Sequence, residues 1–378
     1  MTRKLYYEDS ALTEFHAAVT GCTEAKGGYA VTLDQTAFYP EGGGQPWDLG
    51  KLGDANVLQV TEAGEDVVHL CDKPLTPGAT VKGQVDWARR LDLMQQHTGE
   101  HILSGLICGK YGVSNVGFHV GAQVMEIDFS GPVPAEDLYL LELAANSAIW
   151  QDLQVQCTYP ENLQELEYRS KKALEGPVRI VEIPGFDRCA CCGVHVKHTG
   201  QVGIIKILSM VKFHQGVRLE LVCGKRAFDY LAAVSEQNKQ ISGLLSAKPL
   251  ETAQATKRLA DQLAAEKFRA AGLEKKLFDT IAQSYVNQGL VLHFEDSLTT
   301  ASVRELADRI GKVSRTAIVC SGTDEAGYSI CIIGASAKEL GAAAANALNG
   351  RGGGKPEAFQ GSLKATRSQI ETHFSVNN

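Results

Sequence analysis

The 378-residue sequence lacks an apolar run of about 18 residues, the length that a membrane-spanning helix needs. It also lacks the positively charged stretch and apolar segment that mark a secretory signal peptide. These absences favour a cytoplasmic protein without a membrane anchor. In that compartment, ten cysteines are more typical of free thiols and a metal site than of disulfides.

Basic residues are in deficit, because the formal net charge is −7 at pH 7. This deficit argues against a general polycationic surface for nucleic acid. The acidic excess is concentrated in residues 1–85, so a polyanionic partner would contact that part only through local patches. The helical and C-terminal parts of the chain offer easier surfaces for phosphate.

The length and the patterning of the chain indicate several domains, and the fold class that they predict is α+β. Hydrophobic residues make up 44% and charged residues 21% of the sequence, which are ordinary values for globular proteins. Strand-like runs and helical periodicity divide the chain into four parts. They are a small β-barrel in residues 1–85, an α/β core in residues 86–230, a helical hairpin or dimerisation stalk in residues 231–285 interrupted at Pro249, and a small α/β domain in residues 286–378.

One segment of the predicted core has the spacing of half a metal site. His97 and His101 lie in a stretch, Trp87 to Lys110, that has little glycine, no proline and apolar residues at helical intervals. Positions four apart share one face of a helix. Two imidazoles held in that way form half of a tetrahedral metal site, although such pairs are also common in ordinary helices.

A second pair of ligand-type residues lies far along the chain. Cys191 and His195 are four residues apart, in a segment that also contains Cys189 and Cys192. These cysteines can alternatively form a redox cluster or serve as small buried hydrophobes. Because both pairs consist of soft or borderline ligands, their joint presence favours zinc.

Some familiar motifs are absent, and two glycine-rich segments are present. Glu100 directly precedes the second histidine, whereas zinc proteases place a glutamate directly after the first. The segment Gly350–Gly354, flanked by Lys355, can expose backbone N–H groups to phosphate. It lacks the P-loop spacing, and the alternative is a connector between two helices. The triplet Gly42–Gly44 permits close backbone approach to a ligand, and its alternative is a flexible turn.

Several motifs together carry a resemblance. In chain order they are Phe38-Tyr39-Pro40-Glu41-Gly42-Gly43-Gly44-Gln45-Pro46, Arg89-Arg90 followed by Met94-Gln95-Gln96-His97-Thr98-Gly99-Glu100-His101, and Cys191-Cys192-Gly193-Val194-His195-Val196. The chain resembles the editing module of alanyl-tRNA synthetase, and most of all its free-standing relatives, the alanyl-tRNA editing proteins of the AlaX type. The hairpin and the Gly350–Gly354 segment resemble the C-terminal part of that synthetase, as in the long AlaX form.

The resemblance implies a trans-editing deacylase. Its substrate would be the tRNA for alanine mischarged with serine, with glycine as a second candidate. The implied cofactor is Zn²⁺, and the implied ligands are His97, His101, Cys191 and His195. The chain departs from the synthetase pattern at Cys192 and Val194, where Gly and Thr are usual, and this affects the shape of the Cys191–His195 turn.

The resemblance also implies where the substrate lies. Gln45 and the loop of Gly42, Gly43 and Gly44 would contact the 3′-terminal aminoacyl-adenosine. Thr36 is the candidate to bond the serine hydroxyl. A site built to bond a hydroxyl rejects the substrate that lacks it by up to roughly 10⁴–10⁵-fold, whereas the alternative for Thr36 is a turn residue packed against Phe38.

Four protein ligands would close a zinc site, whereas a catalytic zinc keeps one position open. We therefore expect three ligands to bind tightly and His195 to be weak or displaced by water. Alternatively, the zinc positions the adenosine while Gln45 or backbone amides orient the water. Ligating imidazoles usually donate their other N–H to an acceptor. The candidates near the ligands are Glu100, which is also a catalytic candidate, His119, Asp187 and His198.

Only 35 residues precede Thr36, too few for an ATP-using aminoacylation domain. We therefore expect the chain to act on charged tRNA rather than to charge it. Two other classes of function stay open: a zinc hydrolase of a non-tRNA ester or amide, and a non-catalytic zinc- and tRNA-binding module. A homodimer through residues 231–378 is the predicted assembly.

Overall fold

The structure, a computed structural model, describes residues 1–170 and 178–376 of the chain. It divides into two compact units, Met1–Gln240 and Ile241–Asn378. Both units mix helices and strands, as the predicted fold class requires. The four-part division expected from the sequence is finer than these two units and stays a prediction.

The N-terminal part of the first unit is built from short strands. They are β1 (Arg3–Lys4), β2 (Glu14–Ala25), β3 (Gly28–Leu33), β4 (Gln35–Thr36), β5 (Gly50–Leu52), β6 (Ala55–Ala63), β7 (Asp66–Cys71) and β8 (Thr80–Val85), with the short helix α1 (Leu5–Glu8) after β1. Pairing runs β2-β3-β7-β6-β5-β8, and β8 pairs back to β2, so the sheet closes into a barrel. Alternate apolar side chains such as Phe15, Val31 and Leu52 fill its interior.

The remainder of the first unit packs helices against two small antiparallel sheets. Its elements are α2 (Trp87–Tyr111), β9 (Asn115–Val120), β10 (Met125–Phe129), α3 (Leu138–Trp150), β11 (Gln156–Thr158), β12 (Ile180–Ile183), β13 (Asp187–Ala190), β14 (Ile205–Phe213), β15 (Gly216–Cys223) and most of α4 (Gly224–Leu245), whose last residues belong to the second unit. The sheet orders are β14-β15-β10-β9 and β11-β12-β13. One apolar cluster joins α2, α3 and both sheets.

Helix α2 is the element that positions the site. It begins where the Asp86 carboxylate accepts a hydrogen bond from the backbone N–H of Arg89 at 3.2 Å, and it ends at Gly112, whose φ of 65° is left-handed. Residues 96–104 are all buried, so this stretch is surrounded by protein on every side. Its polar side chains therefore need partners inside the protein.

The second unit contains a five-stranded sheet. Its elements are α5 (Thr252–Gln283), β16 (Leu290–Glu295), α6 (Thr300–Gly311), β17 (Thr316–Thr323), β18 (Gly327–Gly334), α7 (Ala337–Ala347), β19 (Arg351–Lys355), β20 (Ala358–Leu363) and α8 (Arg367–Val376). The strand order is β16-β17-β18-β20-β19. The predicted interruption at Pro249 is confirmed, because residues 246–251, which include the 3₁₀ turn Pro249–Glu251, separate α4 from α5. No helix within the described residues is long and apolar enough to cross a membrane.

The prediction of a loop at Gly350–Gly354 is wrong in its secondary structure. Residues Arg351–Lys355 form β19, the exposed edge strand that pairs antiparallel with β20. Glycine at position 352 leaves room for a neighbouring aromatic ring. A Cβ at Gly352 would lie 2.5 Å from the Phe359 ring, so a side chain there would collide with it.

Candidate metal centre

The fold brings the four predicted metal ligands together. His97 and His101 extend from α2, and Cys191 and His195 lie on the segment that follows β13. One ligand atom from each residue lies within 4.8 Å of the others. The three imidazoles are at most 2% exposed, and Cys191 is half-buried. Two segments about 90 residues apart in the sequence thus form one cluster.

The distances within this cluster fit a zinc ion. The Sγ atom of Cys191 lies 3.4 Å from Nε2 of His97 and 3.5 Å from Nε2 of His195. Around a tetrahedral zinc, with bonds of about 2.3 Å to sulfur and about 2.05 Å to nitrogen, a sulfur and a nitrogen lie about 3.6 Å apart. Three imidazole nitrogens and one thiolate are also a donor set that zinc accepts.

Each imidazole is fixed in orientation by a hydrogen bond between Nδ1 and an oxygen atom outside the cluster. The Gln45 amide oxygen and the Asp187 carboxylate can only accept, so they favour the tautomer of His97 and of His101 with the proton on Nδ1 and the lone pair on Nε2. The pairs are His97 with Oε1 of Gln45 at 2.7 Å, His101 with Oδ2 of Asp187 at 2.8 Å, and His195 with Oγ1 of Thr98 at 3.1 Å. The Nε2 atoms of His97 and His101 are therefore ready to bind a cation.

Glu100 lies beside the cluster, next to His101. Its carboxylate is fully buried, and Oε1 accepts hydrogen bonds from the Ser104 hydroxyl at 2.8 Å and from the Asn115 amide at 2.5 Å. The other oxygen, Oε2, lies 3.7 Å from Nε2 of His101. One oxygen is thus anchored by the protein, while the other is close to the position that a metal would take.

Asp187 is ionised although it is buried. Burial alone would raise the pKa of its carboxyl, but hydrogen bonds from His101 and Arg169 outweigh that effect and hold the pKa below its usual value. The Arg169 guanidinium donates two bonds to this carboxylate, at 2.7 and 2.9 Å. His101 therefore faces a negative charge on the side away from the cluster.

Burial raises the pKa of the Cys191 thiol well above its ordinary value. The thiol is therefore protonated at neutral pH unless a cation binds it, and binding would release that proton. The Arg179 side chain holds the surrounding turn, because it donates hydrogen bonds to the carbonyl oxygens of Cys191 and Gly193, at 3.0 and 2.7 Å. Gly193 itself cannot carry a side chain, because a Cβ there would collide with the His97 ring.

The glycine loop of the barrel forms a tight turn. The backbone groups of Gly42 and Gln45 exchange hydrogen bonds at 3.1 and 3.0 Å, and Gly43 and Gly44 have φ values of 60° and 86°. Residues with side chains rarely adopt these φ values, so the turn needs glycine. The close approach of this backbone to a ligand stays a prediction.

The loop lies beside the metal cluster. The Gly44 carbonyl accepts a hydrogen bond from the backbone N–H of Val120 at 3.2 Å, and a Cβ at Gly44 would meet the Phe118 ring at 2.6 Å. That ring stacks on His97 with a centroid distance of 4.8 Å. Together with the bond from His97 to Gln45, these contacts connect the barrel to α2 at the centre itself.

Thr36 lies inside the barrel and is fully buried. Its hydroxyl oxygen lies 2.8 Å from Nε2 of His69 and accepts the backbone N–H of Phe38 at 3.1 Å. Burial lowers the pKa of His69 to about 4, so this imidazole is neutral at pH 7. Its Nδ1 lies 3.2 Å from the Val31 carbonyl, which leaves Nε2 to accept the Thr36 hydroxyl. A contact between Thr36 and substrate serine stays a prediction.

Of the four residues expected to surround the ligands, two contact a ligand and two do not. Asp187 and Glu100 contact His101, whereas His119 is exposed and His198 lies 3.3 Å from the Asp152 carbonyl. Sequence reasoning missed three partners: Thr98, Arg169 and His69. Thr98 directly follows the first ligand, but nothing in a helical pattern shows that its hydroxyl meets a histidine 97 positions away.

Two family models match parts of the chain. The model described as the second additional domain of threonyl and alanyl tRNA synthetase matches residues 178–221, and the model for class II (A) tRNA synthetases matches residues 3–89. The first of these includes Cys191 and His195.

Relatives that match nearly the whole of this chain have names related to alanyl-tRNA. An alanine–tRNA ligase of Thermofilum pendens is 31% identical over 97% of this chain, which spans 43% of that protein. The alanyl-tRNA editing protein Aarsd1 of Mus musculus is 30% identical over 96% of this chain, which spans 94% of that protein. The Aarsd1-B protein of Xenopus laevis is 29% identical over 91% of this chain, which spans 87% of that protein. A crystal structure of the C-Ala domain from Aquifex aeolicus alanyl-tRNA synthetase matches 24% of this chain at 20% identity, with a TM-score of 0.20.

Proposed function

The chain belongs to the family of alanyl-tRNA editing proteins, and from this premise we propose that it is a zinc-dependent aminoacyl-tRNA deacylase. Its proposed substrate is the tRNA for alanine mischarged with serine, with glycine as a second candidate. One observation carries this proposal: four ligand-type side chains from two distant segments meet beside a glycine loop.

The proposed ligands are His97, His101, Cys191 and His195. A zinc ion held by them would supply a water of lowered pKa, near 7, and would polarise the ester carbonyl. We assign His195 as the weakest of the four proposed ligands, because it has the longest contact with its outer partner, 3.1 Å to Thr98. A ligand of this kind would give way to a water, as a catalytic zinc site requires.

Glu100 is the proposed general base. Its Oε2 atom is 3.7 Å from the metal-facing nitrogen of His101, within reach of a water in the cluster. The bonds from Ser104 and Asn115 hold the carboxylate in that position. It would take a proton from the attacking water and return it to the 3′ oxygen of the leaving adenosine. General base catalysis of this kind contributes about 10²–10⁴-fold to a rate.

The glycine loop is the proposed contact for the acyl-adenosine. Gly43 and Gly44 are exposed, and Gly44 contacts Phe118, which stacks on the ligand His97. Their backbone N–H groups make no hydrogen bond within the part of the chain that the structure describes. Backbone N–H groups of this kind bind a carbonyl oxygen or a phosphate. Gln45 would act through His97, to which it is bonded, rather than on the water directly.

Other expectations also stand as proposals. The partner is the tRNA for alanine, the location is the cytoplasm, and the assembly is a homodimer through residues 231–378. The C-terminal unit would supply the easier surface for the tRNA backbone, because the acidic excess lies in residues 1–85.

The test of substrate class is single-turnover hydrolysis of the tRNA for alanine charged with serine, glycine or alanine, alongside a small amino-acid ester without tRNA. We expect fast loss of serine, with alanine released at least tenfold more slowly. Glu100→Gln should lower the serine rate by about 10²-fold or more. Glu136→Gln, an exposed carboxylate of the same unit, should not change it.

The alternative functions predict different results. Equal turnover of the small ester with and without tRNA would indicate a hydrolase of another ester. Zinc binding without hydrolysis of any of these substrates would indicate a non-catalytic binding module. Either result would overturn the proposed deacylase.

A further inference from the structure

The three imidazoles of the metal cluster have outer partners of unequal strength. His97 bonds to a neutral amide oxygen of Gln45, and His195 bonds to a neutral hydroxyl of Thr98. His101 bonds to a carboxylate, that of Asp187, at 2.8 Å. Hydrogen bonds to an ionised partner are about twice as strong as neutral ones. The ligands are therefore not equivalent.

Asp187 is held rigidly in its position. Its side chain is 1% exposed, and the guanidinium of Arg169 grips both carboxylate oxygens. The backbone of Arg169 is in turn pinned along β13, because its N–H donates to the Arg188 carbonyl at 2.8 Å and its carbonyl accepts the N–H of Ala190 at 2.9 Å. The carboxylate therefore cannot turn away from His101 without breaking its two bonds to Arg169.

Close packing also sets where Asp187 meets α2. A Cβ at Gly105 would lie 2.7 Å from Cβ of Asp187 and would collide with the Phe186 carbonyl. Glycine at this position, one helical turn after His101, lets β13 approach the helix. The sequence of α2 is thus adapted to bring a carboxylate from another element against this one imidazole.

We propose that Asp187, held by Arg169, is a positioning residue that makes His101 the anchoring ligand of the metal centre, with His195 as its weakest ligand. The carboxylate keeps the proton on Nδ1 of His101 and increases the electron density at Nε2, which strengthens the bond to a cation. The Thr98 hydroxyl, which also accepts the backbone N–H of Val196 at 3.3 Å, gives His195 less of either effect. This inference rests on the metal centre of the proposed function.

The test is the affinity for Zn²⁺ alone, measured by competition with a chelating dye on the full chain. Asp187→Asn should weaken binding by about 10- to 100-fold. Thr98→Val should weaken it less than Asp187→Asn. The matched control is Glu295→Gln, because Glu295 bonds His293 at 2.9 Å outside the metal centre, and it should leave zinc affinity unchanged.

A second readout separates positioning from folding. Nitrogen-15 shifts of the histidines in the metal-free protein should show His101 protonated at Nδ1 in the wild type and a mixture of tautomers in Asp187→Asn. An asparagine must present an N–H either to His101 or to Arg169, because both already donate to this carboxylate. A purely structural role would change the melting temperature of the metal-free protein but not the tautomer of a folded variant.

Three results would overturn the inference: folded Asp187→Asn that binds zinc within twofold of the wild type, an unchanged His101 tautomer in that variant, or Thr98→Val that is at least as weak as Asp187→Asn. These results leave the deacylase proposal intact, because that proposal is tested with charged tRNA. A wild-type protein that binds no zinc would overturn both.

Discussion

Gln45 accepts a hydrogen bond from His97, with 2.7 Å between Oε1 and Nδ1. This bond joins the glycine loop of the barrel to the helix that carries two of the metal ligands. Three residues after Gln45, Asp48 forms an ion pair with Arg90 of the same helix, and both residues are fully buried. The substrate loop and the metal helix are therefore fixed to each other before any ligand binds.

The bond to His97 can be tested through metal binding. Replacing Gln45 by Leu removes the acceptor, so the proton is free to move to Nε2, where it blocks coordination. We expect zinc affinity to fall by about 10- to 100-fold, as measured by dye competition. Gln151→Leu, which changes an exposed glutamine directly after α3, is the control. A Gln45→Leu variant with wild-type affinity would show that the bond is unimportant for the metal.

The ligand set makes a prediction about metal content. After dialysis against a weak chelator, Cys191→Ala and His101→Ala should retain almost no zinc, because each removes a tightly held ligand. His195→Ala should retain more than half, measured by atomic absorption, because its place can be taken by water. If His195→Ala loses as much zinc as Cys191→Ala, the centre has four equivalent ligands. The prediction of three tight ligands and a weak His195 is then wrong.

Thr36 should matter for the choice of amino acid if its hydroxyl contacts the substrate. Thr36→Val would then slow hydrolysis of seryl-tRNA and raise the rate on alanyl-tRNA, which changes the ratio of the two rates by at least tenfold. The control is His69→Gln, which removes the partner of Thr36 at 2.8 Å and leaves the hydroxyl in place. If both variants lower the two rates equally, Thr36 serves the barrel core and not the substrate.

His69 should make the first unit sensitive to acid. Its pKa is lowered from 6.5 to about 4 by burial, so the unfolded chain binds a proton in a range where the folded protein does not. Stability is then fully present above about pH 6.5 and is lost as the pH falls towards 4. Between pH 7.5 and pH 5 this amounts to about 2 kcal/mol.

Urea unfolding of the metal-free protein measures this effect. All three tryptophans, Trp47, Trp87 and Trp150, lie in the first unit, so their fluorescence reports its unfolding. The wild type should lose about 2 kcal/mol more than His69→Gln between the two pH values. Equal losses in the two proteins would mean that His69 is charged in the fold or accessible to protons.

The sequence was sufficient for features that depend on local spacing. The i, i+4 positions of His97 and His101, and the repeated Cys191–His195 spacing, predicted the ligand cluster that the fold forms. Helical periodicity predicted α2 to within one residue at each end. The spacing within each pair and the extent of α2 are local, whereas the meeting of the two pairs was implied by the resemblance.

Features that depend on two distant elements could not be found in this way. The bond from Thr98 to His195 and the pairing of Arg169 with Asp187 arise only when α2, β13 and their neighbours pack. The segment Gly350–Gly354 was predicted to be a loop, and glycine is depleted in strands. The strand Arg351–Lys355 depends on its pairing with β20, which no local pattern reveals.

The central claim is that a metal bound between the two segments hydrolyses the ester. The direct measurement is the rate of seryl-tRNA hydrolysis by one preparation before metal removal, after it, and after zinc is returned, with His97→Ala in parallel. We predict that metal removal lowers the rate by at least about 10²-fold, that one equivalent of zinc per chain restores it, and that His97→Ala stays inactive throughout. A metal-free wild type that hydrolyses seryl-tRNA at the original rate would contradict the account.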